Sequence, residues 1–176
     1  QPIIGSNEAI LHSANNQVRF FKATRSVSIA PEWDKKGSWA IANPATTGEF
    51  SATAYFFAKE LQQILNVPIG IIQTAWGAST IESWMDSASL NGFAGNTTPK
   101  IVPEKDPNRT PTIMYNSMLH PFVGYSIRGF TWYQGEANRP NASIYQDLMA
   151  AMIGSWRKYW GNEQLPFYFV QIAPFE

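Results

Sequence analysis

Arg128-Gly-Phe-Thr-Trp-Tyr-Gln-Gly-Glu-Ala-Asn138 is the stretch from which the fold can be read. It runs apolar and aromatic from Gly129 to Tyr133, then turns polar within one residue at Gln134. Buried strands of parallel sheets read as short, near-continuous apolar runs. The polar Gln-Gly-Glu-Ala-Asn, followed by a helical pattern from about Asn141, predicts a strand, a tight loop and a helix. In open α/β sheets such a loop lies at the carboxyl end of its strand, where ligands bind. Gln134, Glu136 and Asn138 therefore stand where chemistry is expected.

Working outward, residues 17–23 read as a short strand after a polar, irregular start. A long connection follows, punctuated by Pro31, Gly37, Pro44 and Gly48, with Trp33 and Trp39 as anchors. Residues 51–66 form the clearest helix, with Tyr55, Ala58, Leu61, Ile64 and Leu65 at helical spacing and Asn66 before Val67-Pro68 as its stop. Residues 68–73 are a second buried strand, entering a second polar loop at 74–80, and 81–85 begin a helical turn. Residues 91–111 read as a surface insertion and 112–125 as a helix broken around Pro121. Asn141 is placed as the N-cap of a helix using Ile144, Tyr145, Leu148, Met152, Trp156 and Tyr159, with Gly161 just past its end. A last strand covers 166–172.

Strands alternating with helices predict an α/β fold with a parallel sheet, and 176 residues suit one domain over 1–176. Thirteen basic residues balance thirteen acidic ones, so no charge favours nucleic acid or an anionic membrane. No apolar run reaches membrane-spanning length. The absence of cysteine excludes disulfides, thiolate metal sites and a Cys nucleophile. No metal site or cofactor is expected: the two histidines are far apart, no carboxylate cluster has ligand spacing, and a phosphate loop is missing. Asn96, Asn108 and Asn141 begin acceptor-type triplets and are read as ordinary loop and cap residues.

The two strand-end loops carry the chemistry. Gly77 could present a backbone N–H and Gln134 a side-chain amide, two donors suited to a developing oxyanion. A glycine in a turn more often serves backbone conformation. At these residues the sequence resembles the sialate O-acetylesterase family, within the wider SGNH (GDSL-type) hydrolases. The resemblance rests on the blocks at 67–85 and 129–138, supported by 50–57, 115–121 and 156–161 in the same order, and spans about residues 17 to 176. It implies a flavodoxin-like three-layer α/β/α domain that removes O-acetyl groups from sugars by a serine nucleophile and a His–Asp pair. It also implies Gly77 and Gln134 as oxyanion-hole donors. Trp76, Glu136 and Asn138 would contact substrate, with Glu136 and Asn138 alternatively bracing their loop. The family's Gly-Gln-Ser-Asn-Met and Asp-x-x-His blocks are not found. On the resemblance the polypeptide begins after the first and stops before the second, incomplete at both ends and without efficient turnover. Uncovered apolar surface would then favour a homo-oligomer, and the family points to a periplasmic or secreted protein acting on an acetylated carbohydrate.

Other residues invite different readings. Gly5-Ser6-Asn7-Glu8 looks like a damaged serine motif, but too little chain precedes it for a supporting strand, and Ser6 is read as a loop residue. His120 stands in a family-like His-Pro context without a nearby Asp, and is read as structural; His12 has no evident partner. Glu82 and Glu136 raise a two-carboxylate glycosidase, which needs a defined separation across a sugar bond. A non-catalytic sugar-binding or structural domain using the same cleft is the principal alternative.

Overall fold

A computed structural model describes residues 3–93, 95 and 97–174 of the chain, and Asn96 lies outside them. Two compact units are present: residues 1–24 with 36–75, and residues 25–35 with 76–176.

The first unit contains α1 (Ser6–Leu11), β1 (Asn15–Ala23), β2 (Gly37–Ala42), α2 (Ala52–Leu65) and β3 (Ile69–Gln73). Its sheet has the order β2-β1-β3, with β1 parallel to β3 and antiparallel to β2. The sheet is therefore mixed, which corrects the all-parallel expectation. The sequence reads as a connection over β2 because four of its six residues are Gly, Ser or Ala, types with little strand preference. Trp39 is a strand residue, its ring 5.6 Å from Phe21. The irregular start also holds a short helix, α1, whose residues are all at least partly exposed and so leave no apolar stripe to read. α2 is capped as its sequence predicts: the Ser51 hydroxyl accepts from the Ala54 N–H, and Asn66 ends it in the left-handed conformation at φ 51°. Val18, Phe20, Ala42, Ala54, Tyr55 and Ala58 form the core, with Phe50, Ile69 and Ile71 against it. Only the first half of the predicted α2 stripe is buried; Ile64 and Leu65 are exposed. The Gln73 amide oxygen accepts the Ser51 N–H at 2.8 Å, tying the end of β3 to the start of α2.

The second unit contains α3 (Ser87–Leu90), β4 (Phe130–Trp132), α4 (Ala142–Tyr159) and β5 (Phe167–Phe169). β4 and β5 are parallel, Phe130 opposite Phe167 and Trp132 opposite Phe169, with α4 as the connection. α4 buries Leu148, Met152 and Trp156, four residues apart on one face. The Trp156 ring lies 5.0 Å from Phe130, 5.6 Å from Trp132 and 5.8 Å from Phe167. Asn141 precedes α4 but its side chain caps nothing, because a 3-10 turn over Glu136–Asn141 already delivers the chain. Gly161 closes the far end at φ 64°, as expected. The helix expected over 112–125 is a π-turn, Tyr115–Leu119, followed by a 3-10 turn, His120–Phe122. Segment 25–35 is held on it: the Ser117 hydroxyl donates to Ser26 O and the Glu32 N–H to Asn116 O.

Asp86 caps α3, its carboxylate accepting the Ala88 and Ser89 N–H groups and the Ser89 and Ser155 hydroxyls. Burial alone would raise its pKa; the bonds from Ser155, Ser89 and Ala88 outweigh burial and hold it below the usual carboxylate value. A depressed folded pKa stabilises above the unfolded value near ~4 and is lost as pH falls through the folded one. Asp86→Asn is expected to cost about 1–2 kcal/mol at neutral pH. In urea titrations across pH, that deficit should shrink below pH ~4; a constant deficit would mean the charge contributes nothing.

Candidate active site

The site is built from two loops of the second unit, residues 76–80 and 133–138. They are joined through side-chain amides. Gln134 Nε2 donates to Ser79 O at 2.9 Å and to Asn138 Oδ1 at 2.7 Å. Asn138 Oδ1 also accepts the Ile81 N–H at 2.9 Å, and Asn138 Nδ2 donates to Glu82 Oε2 at 2.9 Å. The orientation of both amides follows from these partners: a carbonyl can only accept, a backbone N–H can only donate. Tyr145, one turn into α4, donates to Gln134 O and Gln134 Oε1 at 3.0 and 2.8 Å and accepts from the Trp132 indole. Burial is the main cause that pushes the Tyr145 phenol pKa up, with the Glu136 and Glu82 charges adding to it, so it stays a neutral donor. Tyr145→Phe should lower stability by about 1–2 kcal/mol in urea unfolding, since it leaves Gln134 without its carbonyl partner; an unchanged midpoint would show that the network does not bear on the loop.

The first loop is clamped from a third segment. Asn108, buried in the 3-10 turn Pro107–Arg109, donates its amide to Gly77 O at 2.8 Å. Arg109 Nε donates to Ala78 O at 3.1 Å, and the Thr80 hydroxyl donates to Arg109 O. Residues 91–111 are thus more than a surface excursion. Asn108 carried no sequence signal beyond an acceptor-type triplet.

Gly77 is exposed and its N–H makes no hydrogen bond among the described residues. Its glycine is not required by the backbone, because the left-handed residue of this loop is Ala78 at φ 59°. Nor is it required by packing: a Cβ at 77 would meet nothing within 4 Å. Gly135 is different, with φ 153° and a Cβ position 3.2 Å from Ile172.

The sequence-predicted residues therefore divide. Gly77 offers a free donor, whereas both Gln134 amide hydrogens are occupied inside the protein. Asn138 is 3% exposed, and its amide joins the two loops and Glu82. Glu136 is exposed, and Trp76 is half-buried with the Arg25 guanidinium 5.6 Å above its ring. Glu82 is buried and bound to Asn138, an arrangement suited to bracing rather than to a glycosidase pair. His120 Nδ1 donates to Glu32 O at 2.8 Å and its ring meets Trp33 edge-on at 4.7 Å. His12, just past α1, bonds Glu8 O, and the Ser6 side chain makes no hydrogen bond among the described residues. Asn108, Ser79 and Tyr145 are the site-building residues that the sequence left unmarked.

The mixed helices and strands are those of an α/β hydrolase-like fold. The family model for a carbohydrate esterase, sialic acid-specific acetylesterase, matches residues 12–176, and the chain belongs to that family. It is 31% identical to the sialate O-acetylesterase of Pongo abelii over 75% of this chain and 25% of that protein. The corresponding protein of Rattus norvegicus is 26% identical over 93% of this chain and 38% of its own length. The crystal structure of a carbohydrate acetylesterase from Xanthomonas citri superposes with a TM-score of 0.86 at 40% identity, covering 95% of this chain and 36% of that one. The chain thus spans between a quarter and two-fifths of the proteins it matches.

Proposed function

We propose that the chain supplies the oxyanion side of a carbohydrate O-acetylesterase site, the substrate being an acetylated sugar attacked by a serine. The observation that carries this reading is Gly77: the residue is exposed and its N–H has no partner among the described residues, while the carbonyls of Gly77 and Ala78 are tied down. A donor held in place before the reaction stabilises the tetrahedral intermediate without reorganising as charge develops. Gln134 would reach the same oxygen only by releasing Ser79 or Asn138, so its first role is to set the loop. Trp76 and Glu136 offer an aromatic face and a carboxylate to the sugar. The three-layer SGNH arrangement with both units in one domain, the nucleophile and His–Asp pair supplied from outside these matched blocks, and a periplasmic or secreted setting belong to the same proposal. Among the described residues no helix is long and apolar enough to cross a membrane.

Aryl acetate hydrolysis by the 176-residue chain, beside its Ser6→Ala variant, tests it. Rates equal to buffer are expected, and turnover on an O-acetylated sugar is expected from a polypeptide that also carries the serine and Asp-x-x-His blocks. Saturable turnover abolished by Ser6→Ala would overturn the assignment. A sugar-binding domain without catalysis remains the second reading, favoured by the inward-facing Gln134 amide; the longer polypeptide binding sugar without hydrolysing its acetate would select it. Tyr168, Phe169 and Val170 stand exposed on and just after β5, so self-association is expected to rise with concentration in light scattering, and a monodisperse monomer would contradict it.

A further inference from the structure

A groove of about 420 Å³ lies in the second unit where the chain enters β4. One wall is the segment from Gly124 to Arg128, which leads into the strand. The other is the turn between α4 and β5, with Trp160, Asn162 and Leu165. Arg128 precedes β4 and Gln134 follows it, so the groove opens at the amino end of the strand whose carboxyl end carries the candidate site. Its size falls within the usual range for small-molecule sites, about 300–1,000 Å³.

Both walls are held without a ligand. The Trp160 indole donates to Tyr125 O at 2.9 Å, tying one wall to the other, and its ring stands edge-on to Phe130 at 5.1 Å. The turn is closed by Gly161 at φ 64° and by the Leu165 N–H donating to Asn162 O at 3.1 Å. Arg157 Nε donates to Leu165 O at 2.9 Å. Walls set in place before binding have less freedom to lose when a ligand arrives.

The groups left unspent in this groove are donors, and they are accessible. Arg128 is exposed and makes no ion pair or hydrogen bond among the described residues. Asn162 is exposed too; its Oδ1 accepts the Gln164 N–H at 3.0 Å, which leaves both Nδ2 hydrogens without a partner. The exposed Ser126 hydroxyl also has none among the described residues. No Asp or Glu lines the groove; Glu163 belongs to the same turn but not to the wall. A guanidinium and a carboxamide with no carboxylate beside them favour a ligand that brings acceptors and a negative charge. The planar fork of arginine matches a carboxylate with two parallel bonds. Tyr125, 55% exposed, and the partly exposed Trp160 add aromatic surface for the apolar face of a sugar ring, with Ser126 and Asn162 to bond its hydroxyls. We propose that this groove is a second binding site, for a sugar that carries a carboxylate, such as a uronic acid unit, with Arg128 holding the carboxylate. This does not rest on the esterase reading.

Titration of the 176-residue chain with methyl β-D-glucuronide, followed through backbone amide shifts, tests it. Saturable millimolar binding is expected, with the largest shifts at 124–128 and 160–165. Methyl β-D-glucoside, which lacks the charge, and acetate, which lacks the ring, should each bind at least about fivefold more weakly. Arg128→Gln should weaken glucuronide binding by at least about fivefold with an unchanged melting midpoint, because the guanidinium bonds nothing in the free protein. Arg128→Lys should recover only part of that loss, since an ammonium keeps the charge without the fork. Absence of saturable shifts would overturn the proposal. So would shifts centred on residues 76–80 and 134–138, acetate or the glucoside binding as tightly as the glucuronide, or full binding by Arg128→Gln.

Discussion

Asn138→Ala is expected to lower the stability of the second unit by at least about 3 kcal/mol, because one buried amide satisfies three partners. Its loss orphans the Ile81 N–H, one Gln134 amide hydrogen and an oxygen of the buried Glu82 carboxylate. Unsatisfied buried groups cost about 1–3 kcal/mol each, and more when charged. At a urea slope of about 1–3 kcal/mol per M, the midpoint should fall by 1 M or more. Asn138→Asp sharpens the test. It keeps the acceptor for Ile81 and Gln134 but sets a second carboxylate against Glu82, in place of the donor that stood 2.9 Å away. Like charges at that distance raise one pKa of the pair. A raised carboxyl pKa means the folded state holds a proton that the unfolded state gives up above pH ~4. The Asp variant should therefore be nearly as stable as the parent at low pH and lose stability as pH rises through that raised value. Adding Glu82→Gln restores a donor facing the new carboxylate and should recover most of the loss at neutral pH. A pH-independent deficit, or no recovery in the double variant, would show that Glu82 is not the partner that matters.

The residues of this network show where sequence stops being informative. The 128–138 stretch was legible because an apolar run that turns polar marks a strand and its end loop, although of that run only Phe130 and Trp132 are buried and Tyr133 is exposed. Local pattern also located α2 and α4, whose stop residues act within a few positions, and β3, although the strand read as buried has no fully buried residue. The partner of Asn138 is another matter. Glu82 lies 56 positions away, and nothing local in Ile-Glu-Ser-Trp distinguishes a buried brace from a surface carboxylate. The same holds for Asn108, which sits in a Pro- and Asn-rich run yet holds the Gly77 carbonyl. β2 was missed because small residues carry little strand preference and its order comes from pairing with β1. The helical period over 113–118 was real, but the left-handed Thr112 before it and Pro121 after it leave room only for a π-turn and a 3-10 turn. Family motifs placed Gly77 and Gln134 in one site, and the hydrogen bonds then separated the free donor from the occupied one.

Phe20→Ala should be the most damaging single change in the first unit, at about 4 kcal/mol. Phe20 is 0% exposed in the middle of β1, opposite Ala40 on β2 and Ile71 on β3. Its ring stacks on Phe50 at 4.2 Å between centroids and 10° between planes. Truncation removes the transfer energy of the ring, leaves a cavity that a strand paired on both sides cannot close, and strips Phe50 of its stacking partner. Set against a usual folding stability of about 5–15 kcal/mol, that is a large share. Phe20→Leu should cost much less, since most of the volume is kept. Phe56→Ala on the outer side of α2, where the ring is already exposed, should stay within about 1 kcal/mol. Hydrogen exchange discriminates the mechanism. Amides of Val18 to Lys22 that pair with β3 should lose protection in Phe20→Ala, because the opening that exposes them no longer has to break the Phe20–Phe50 stack. Protection left intact in β1, with exchange quickened only in β2, would place the energetic centre of the sheet elsewhere. The consequence within the unit runs through β3: that strand ends at Gln73, whose amide oxygen accepts the Ser51 N–H, so a loosened β1–β3 pairing also frees the start of α2.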